Sequence, residues 1–483
     1  MNNIFFALCL FALALPLQSQ DILLSQPKKL TNKVTEYEII GRTQQGVMVH
    51  KWGDRYNLIE AYYNETLGLA WEKELILNDK KAIVQTIIPY ANKMLIIYTV
   101  KEKRTTNLYA RKVSDVLKDL SGDILLDSFE KGFGAYNPKY EVKYSKKRNF
   151  ISIVRYDYDF NGISNINILV LNKEGQALSQ KDIPFNEKWT MKEVFVNNKG
   201  LVFLASAKIK RNILNLSPQH EEVRLQEYNY ETDIVSEYLI EKGEHSLNDI
   251  KIVSDDKNNR IAIAGFYSEK QSNAISGYFG VFFDLKTHQI EQQFYENFEV
   301  EIARKTNLTA ATKKDYVYNL KMRNVILRQD GGALFIGETY YTSNRSIPRS
   351  SFDTFNTRQQ VSLNYHYNDL VVLSVNPNGS LLWDEVLKKR QYSEEDKGYY
   401  SSFGMANSGQ FLNLIFNEEI SNNTNINNYK IESTGDYTIE SMMNANDYNI
   451  MLAPRYYKQT SPSEIVMPAF NRKNEFLLVK VGF

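Results

Sequence analysis

From about residue 35 onward the chain is a succession of short alternating runs of apolar and polar residues, separated by turn residues, with helical spacing hard to find. The stretch INILVLNKEGQALSQKDIPF (166–185) reads as strand, glycine turn, strand, and KEVFVNNKGLVFLASAKIK (192–210) repeats the design. It returns in DLVVLSVNPNGSLLWDEVL (369–387) and SSFGMANSGQFLNLIFNE (401–418). A period of two along each run predicts strands, because successive side chains point to opposite faces of a sheet.

The punctuation has a physical basis. NKEG, NNKG, RQDGG, NPNG and NSG place Asn and Gly where a tight hairpin requires positive φ, so the flanking strands must be antiparallel. One echo points to a true repeat: LAWEKEL (69–75) and LLWDEVL (381–387) share Leu-x-Trp-acid-x-x-Leu at the same place in the strand cycle. In that frame the chain holds seven consecutive four-strand units, starting near Tyr56, Thr105, Asn165, Glu222, Gly277, Asn368 and Asn427. Their spacing, roughly 50 to 60 residues, is that of propeller blades. The chain ends on NEFLLVKVGF, a first-strand pattern, and EYEIIGRTQQGVMVHKWGD (36–54) reads as third and fourth strands, so the two ends complete one more blade.

The expected fold is therefore all-β: a single β-propeller of four-stranded antiparallel blades, eight in number with seven as the second choice. A blade cannot bury both faces alone, and strands from the N- and C-termini sharing one blade tie the ring. An outer-membrane barrel ranks lower because Glu141, Lys143 and Arg155 interrupt the apolar alternation a lipid face needs. A pair of β-sandwiches leaves the matched ends unexplained.

The four-strand cycle, the NPNG-type turns and the segment GYYSSFGMANSGQFLNLIFNE resemble a large, mostly uncharacterised group of exported bacterial β-propeller repeat proteins. The resemblance is loose over the mature chain and closer over 366–419. It implies the fold and export, and brings no catalytic residues.

Composition narrows the function. The 58 basic and 57 acidic side chains are mixed along the chain, and no sustained basic run supports a nucleic-acid partner. The N-terminus, MNNIFFALCLFALALPLQSQ, is almost purely apolar from Ile4 to Leu17 and turns polar at Gln18. That run is too short to span a bilayer and reads as a signal peptide over 1–20, leaving 21–483 as one domain. Its n-region lacks Lys and Arg, and the cut after Ser19 or Gln20 lacks the A-x-A form. The single cysteine, Cys9, falls in the signal, which removes disulfides and thiolate chemistry from the mature chain. The expected location is outside the cytoplasm, periplasmic or outer-membrane associated, with the cell surface as a further option. No transmembrane segment is expected in the mature chain.

One motif carries metal chemistry. In DYDFNGISN, side-chain oxygens recur at Asp157, Asp159, Asn161 and Asn165, the Ile163 carbonyl adds a ligand, and Gly162 permits the turn. It resembles the nine-residue calcium loops of integrin-type propellers, with Asn at the fifth and ninth positions. The preferred reading is a polar hairpin, with a structural Ca2+ ion of modest affinity as the alternative. Five histidines (His50, His220, His245, His288, His366) form no metal-ligand spacing, and no nucleophile, phosphate or dinucleotide motif occurs. A cofactor and an enzymatic role are therefore not expected.

Two insertions break the economy of the units: 298–322, with mixed charge and a short helix expected, and 340–369, expected between the fourth strand of one blade and the first strand of the next. The second holds Tyr340, Tyr341, Arg345, Arg349, Arg358, Tyr365 and Tyr367, and Arg and Tyr are the commonest anchors of protein interfaces. The expected function is a non-enzymatic scaffold presenting these residues to a partner protein in an envelope or outer-membrane complex. The alternative is a carbohydrate-binding or carbohydrate-active propeller, hydrolase or lyase, using carboxylates at its channel.

Overall fold

The computed structural model describes residues 21–159, 162–185, 189–210, 219–269, 273–306, 316–346, 361–421 and 424–483. They form eight antiparallel blades. Blade 1 runs Glu36–Thr43, Gly46–Gly53, Tyr56–Tyr62, Leu69–Glu74, and each later blade repeats the order inner, second, third, outer. The inner strands of blades 2 to 7 begin at Ile83, Lys139, Trp189, Ser246, Leu320 and Gly404. In blade 8 the inner strand is split into Ile450–Leu452 and Lys458–Ser461 by a 3-10 turn, Pro454–Tyr456, and Glu464–Asn471 and Glu475–Gly482 follow.

The ring closes as expected, by strands from both ends of the chain, but the N-terminal partner is a different segment. Ile22–Leu24 pairs with Val481–Val479, and Lys28–Lys29 with Phe476–Glu475, as the outer strand of blade 8. Residues 36–53 are instead the inner and second strands of blade 1. The expected units thus begin two strands late. Turn chemistry marks every hairpin alike, so it fixes the period and leaves the blade boundary open. The true closing strand is short and broken by Ser25-Gln26-Pro27, with no alternation to betray it.

The turns behave as their residues require. In Asn172–Gly175 the Gly175 N–H donates to the Asn172 carbonyl, and Asn172 Oδ1 accepts from the N–H groups of Glu174 and Gln176 at 2.9 and 3.1 Å. Second strands such as Lys93–Glu102 are buried over most of their length, whereas outer strands such as Leu69–Glu74 are half exposed. That difference reflects packing between neighbouring blades.

The core is divided accordingly into clusters, one in each gap between blades. Blade 1 meets blade 2 through Ile40, Met48, Ile96 and Tyr98. The last gap is sealed by Tyr37, Ile39 and Val49 of blade 1 against Val466, Phe470 and Phe476 of blade 8. Because every blade is buried only by its neighbours, an open ring would expose two such faces.

Antiparallel order sorts the connections. Links between inner and second and between third and outer strands leave one face, and most are tight, 44–45, 173–176, 197–201 and 376–380 among them, with 115–123 the longest. Links between second and third strands, and between blades, leave the other face, and the long ones are all there: 298–319, 347–360 and 388–403. The 298–322 insertion contains the expected helix, Val300–Thr306. The 340–369 insertion joins the second and third strands of blade 6, not one blade to the next. Among the described residues no helix is long and apolar enough to cross a membrane.

Candidate functional site

The second and third strands of blade 6, Ala333–Ser346 and Val361–Val375, run on past the blade as a ribbon. Its register holds from Tyr340 opposite Tyr367 to Ser346 opposite Val361, and Gln391–Glu394 adds a third strand against Asn364–Tyr367. Much of the insertion is therefore regular sheet rising from the face of long connections. Tyr341 stacks on His366 with centroids 4.3 Å apart and planes 11° apart, and Ser343 Oγ lies 3.0 Å from His366 Nε2. Burial lowers the pKa of that imidazole.

The structure sorts the expected interface residues. Tyr341, 36% exposed, is open to a partner. Tyr365 and Tyr367 are buried, and Tyr340 is half-buried with its ring 4.6 Å from that of Tyr367. Burial pushes the Tyr367 phenol up to about 12, and its hydroxyl accepts from Arg455 at 2.7 Å. These three tyrosines hold the ribbon rather than offer it. Arg345 lies in strand opposite Ser362, its side chain outside the described residues, as are Arg349 and Arg358.

Beneath the ribbon lies a group of residues that pattern reading missed. Glu338 and Lys389, both 0% exposed at the side chain, meet at 2.8 Å. Arg323 Nε and Ser402 Oγ also donate to Glu338 Oε2, at 2.8 and 2.7 Å. Lys389 Nζ donates to the Tyr367 carbonyl at 3.0 Å and to Gln391 Oε1 at 2.9 Å, which ties the ribbon's third strand to its second. Burial pulls the Lys389 ammonium below its ordinary pKa, and the Glu338 carboxylate opposes the shift. The one available signal was a lone Glu in the apolar strand ALFIGETYY; KKRQ at 388–391 looks like a solvated turn.

The inner strands, which neighbour one another around the ring, line a channel rich in charge. Glu193 lies 3.8 Å from Lys143 and 3.4 Å from Lys251, while Glu141 pairs with Lys143 at 3.1 Å. Glu38 keeps contact with solvent, but the channel wall displaces enough water to push its carboxyl up, with Lys458 opposing. Lys458 of blade 8 reaches across to the Tyr144 hydroxyl of blade 3, at 3.5 Å.

The Asp157 motif forms the hairpin between the second and third strands of blade 3. Asp157 stands opposite Asn165 and Asp159 opposite Gly162, with Ile163 opposite Tyr158. Asn161 lies outside the described residues. Both carboxylate oxygens of Asp157 are engaged by Arg155, Nε at 2.8 Å and Nη2 at 3.2 Å, and Asn165 Nδ2 donates to it at 3.1 Å. Among the described residues no group of three or more His, Cys, Asp or Glu side chains is placed to hold a metal.

No protein-family model matches the chain, and no curated protein does. Among solved structures, a Dos1 propeller is similar over 94% of this chain and 94% of its own, at 9% identity and a TM-score of 0.47. A prolyl endopeptidase structure aligns over 91% of this chain and 55% of its own, at 9% identity and a TM-score of 0.40. An apocarotenoid oxygenase of Synechocystis aligns over 74% and 72%, at 10% identity and a TM-score of 0.34. Likenesses this distant say nothing about what this chain binds, and the blade count rests on its own ladders.

Proposed function

We propose that the protein is an exported, non-enzymatic propeller that holds a partner protein on its face of long connections, within a periplasmic or outer-membrane-associated assembly. The observation that carries this reading is the ribbon of blade 6: an exposed stacked Tyr341–His366 pair raised on a root fixed by a buried ion pair. A rigid aromatic anchor surrounded by longer connections is the usual build of an interface hot spot. Export is supported by the apolar run from Ile4 to Leu17. The carbohydrate-active alternative needs two carboxyls fixed across a cleft. Ion pairing of Glu141 and Glu193 to channel lysines favours the scaffold.

The test compares wild type with Tyr341→Ser combined with Arg349→Ser and Arg358→Ser in capture from the native membrane fraction. The reading expects a protein retained by wild type and reduced about tenfold or more by the triple variant, about 1.4 kcal/mol of binding. Retention unchanged by the triple variant refutes it.

A further inference from the structure

The opposite mouth of the channel holds a cleft of about 530 Å³ that the partner-binding reading does not use. Its walls come from the tight turns of blades 1, 2 and 3 and the end of the inner strand of blade 8. Three features of the wall bear on what fits.

The first is Arg148. It occupies the left-handed position (φ 57°) of the turn between inner and second strands, a position held by Gly200 in blade 4, Asn259 in blade 5 and Gly331 in blade 6. A long side chain there is tolerated at a cost that Gly and Asn avoid. From blade 3 it crosses the turn of blade 2, donating to the Pro89 carbonyl, and arrives beside Gly41 of blade 1, where a Cβ would lie 4.0 Å from Nη2. No carboxylate pairs with Arg148 among the described ion pairs, whereas Arg42 on the same wall is engaged by Glu464 at 3.3 Å. Lys458 adds a second cation, partly offset by Glu38, and Glu65 stands on the wall as the opposing charge.

The second feature is an amide-lined wall: Gln44 and Gln45 face the cleft beside Asn64. A side-chain amide offers both donor and acceptor, as a ligand hydroxyl requires. The third is Tyr63, 54% exposed at the rim, which offers a ring face. A bare oxyanion leaves most of this volume and the amide wall unused.

We propose that this cleft binds a carboxylated saccharide: the carboxylate on the Arg148 guanidinium, hydroxyls on the side-chain amides of Gln44 and Gln45, and the sugar face against Tyr63. Paired N–H donors on a planar guanidinium suit a carboxylate. The site lies on the face opposite the ribbon, so the two binding functions fail or stand separately.

The experiment titrates the full folded protein with glucuronic acid, glucose and inorganic phosphate, read by calorimetry or ligand-observed NMR. Glucuronate is expected to bind at least about tenfold more tightly than either of the others. Arg148→Asn, which keeps a residue tolerant of the left-handed backbone, is expected to weaken glucuronate about tenfold or more, and Tyr63→Ala to weaken it too. Lys199→Gln, on the same face outside the cleft, leaves it unchanged. Circular dichroism confirms that each variant is folded. Absence of glucuronate binding, equal binding of glucose or of phosphate, or indifference to Arg148→Asn overturns the proposal.

Discussion

Trp383 stands directly over Gly435: a Cβ on that glycine would lie 2.8 Å from the indole Cδ2, and the indole Nε1 donates to the Ser433 carbonyl at 3.0 Å. Trp383 is on the outer strand of blade 6, and Gly435, at φ 98°, is in the turn between third and outer strands of blade 7. The contact therefore locks one blade to the next. Trp71, at the matching place in blade 1, and Leu117, in the corresponding turn of blade 2, both pack against the cluster between those two blades. The heptad shared by 69–75 and 381–387 is thus an inter-blade fastening. Gly435→Ala is expected to cost about 2–3 kcal/mol, from left-handed strain plus the clash with the indole. In a Trp383→Ala background the clash vanishes and the cost should fall by about 1 kcal/mol or more. A urea double-mutant cycle checks this; equal costs in both backgrounds would show that the two residues are not coupled.

The closing strand should matter more than its length suggests. Ser25 exchanges bonds with Leu478: its N–H donates to the carbonyl at 2.9 Å, and its Oγ accepts from the N–H at 2.8 Å. Lys28 reaches from blade 8 to Glu60 of blade 1 at 3.1 Å and also pairs with Glu72. Removing residues 22–29 leaves Glu475–Gly482 as a bare edge and frees the Glu60 side. At about 1 kcal/mol per ladder bond, the loss is on the order of 5 kcal/mol. A truncated protein that melts with the full chain would contradict the closure, and a peptide of residues 21–30 added in trans should restore part of the loss.

How far the sequence reveals this molecule follows from range. Turns are local, so NKEG and NPNG announce their hairpins, and a strand's burial is written in its own alternation. The blade boundary is a choice between ladder partners, and nothing within 36–54 says which neighbour those strands join. The same holds at the site. The tyrosines of 340–367 were visible, but that Tyr340 faces Tyr367, and that Lys389 reaches the Tyr367 carbonyl, depends on register across the ribbon. The cleft at Arg148 draws on residues from four blades and has no local signature at all.

Stability should fall on mild acidification because of His50. The imidazole is 4% exposed, stacked 4.7 Å from the Trp52 ring, with Nε2 3.0 Å from Asn57 Oδ1. Burial lowers its pKa to about 4 from 6.5. The unfolded chain takes up the proton below pH 6.5 while the folded one holds out to about 4, so unfolding gains protons across that window. Stability is full above pH 6.5 and lost progressively toward 4, by roughly 3 kcal/mol in total. His50→Gln, which keeps a donor for Asn57, removes this slope. Urea midpoints at pH 7 and 5 should therefore converge for the variant relative to wild type by about 2 kcal/mol; parallel slopes would put the imidazole's titration at its ordinary pH.

Calcium offers a sharper choice at Asp157. With both carboxylate oxygens held by Arg155, the hairpin is complete without a cation. Chelator and millimolar Ca2+ are expected to move the melting temperature by less than about 1 °C, since only a ligand that binds the folded state raises it. Asp157→Ala should still destabilise, by about 1–3 kcal/mol, through the lost bonds to Arg155 and Asn165, although Asp127 keeps the guanidinium paired. A calcium-dependent rise in melting temperature, abolished by that substitution, would establish the metal instead.

The Glu338–Lys389 pair gives the last prediction, because it separates rigidity from charge. Neither group reaches water, so Lys389→Met leaves Glu338 with Arg323 and Ser402 but without its one fully buried cation, and should cost about 3–5 kcal/mol. Glu338→Gln leaves a buried ammonium facing an amide and should cost a similar amount. The double variant buries no unmatched charge there, since Arg323 is 29% exposed at the side chain and reaches solvent. Its cost should be smaller than the sum of the singles by about 2 kcal/mol or more. Hydrogen exchange at Tyr365–Tyr367 reads the functional side of the same contact: Lys389→Met should speed it by freeing the carbonyl of Tyr367 from its donor. Additive losses with exchange unchanged would mean that the ribbon stands on its backbone ladder alone.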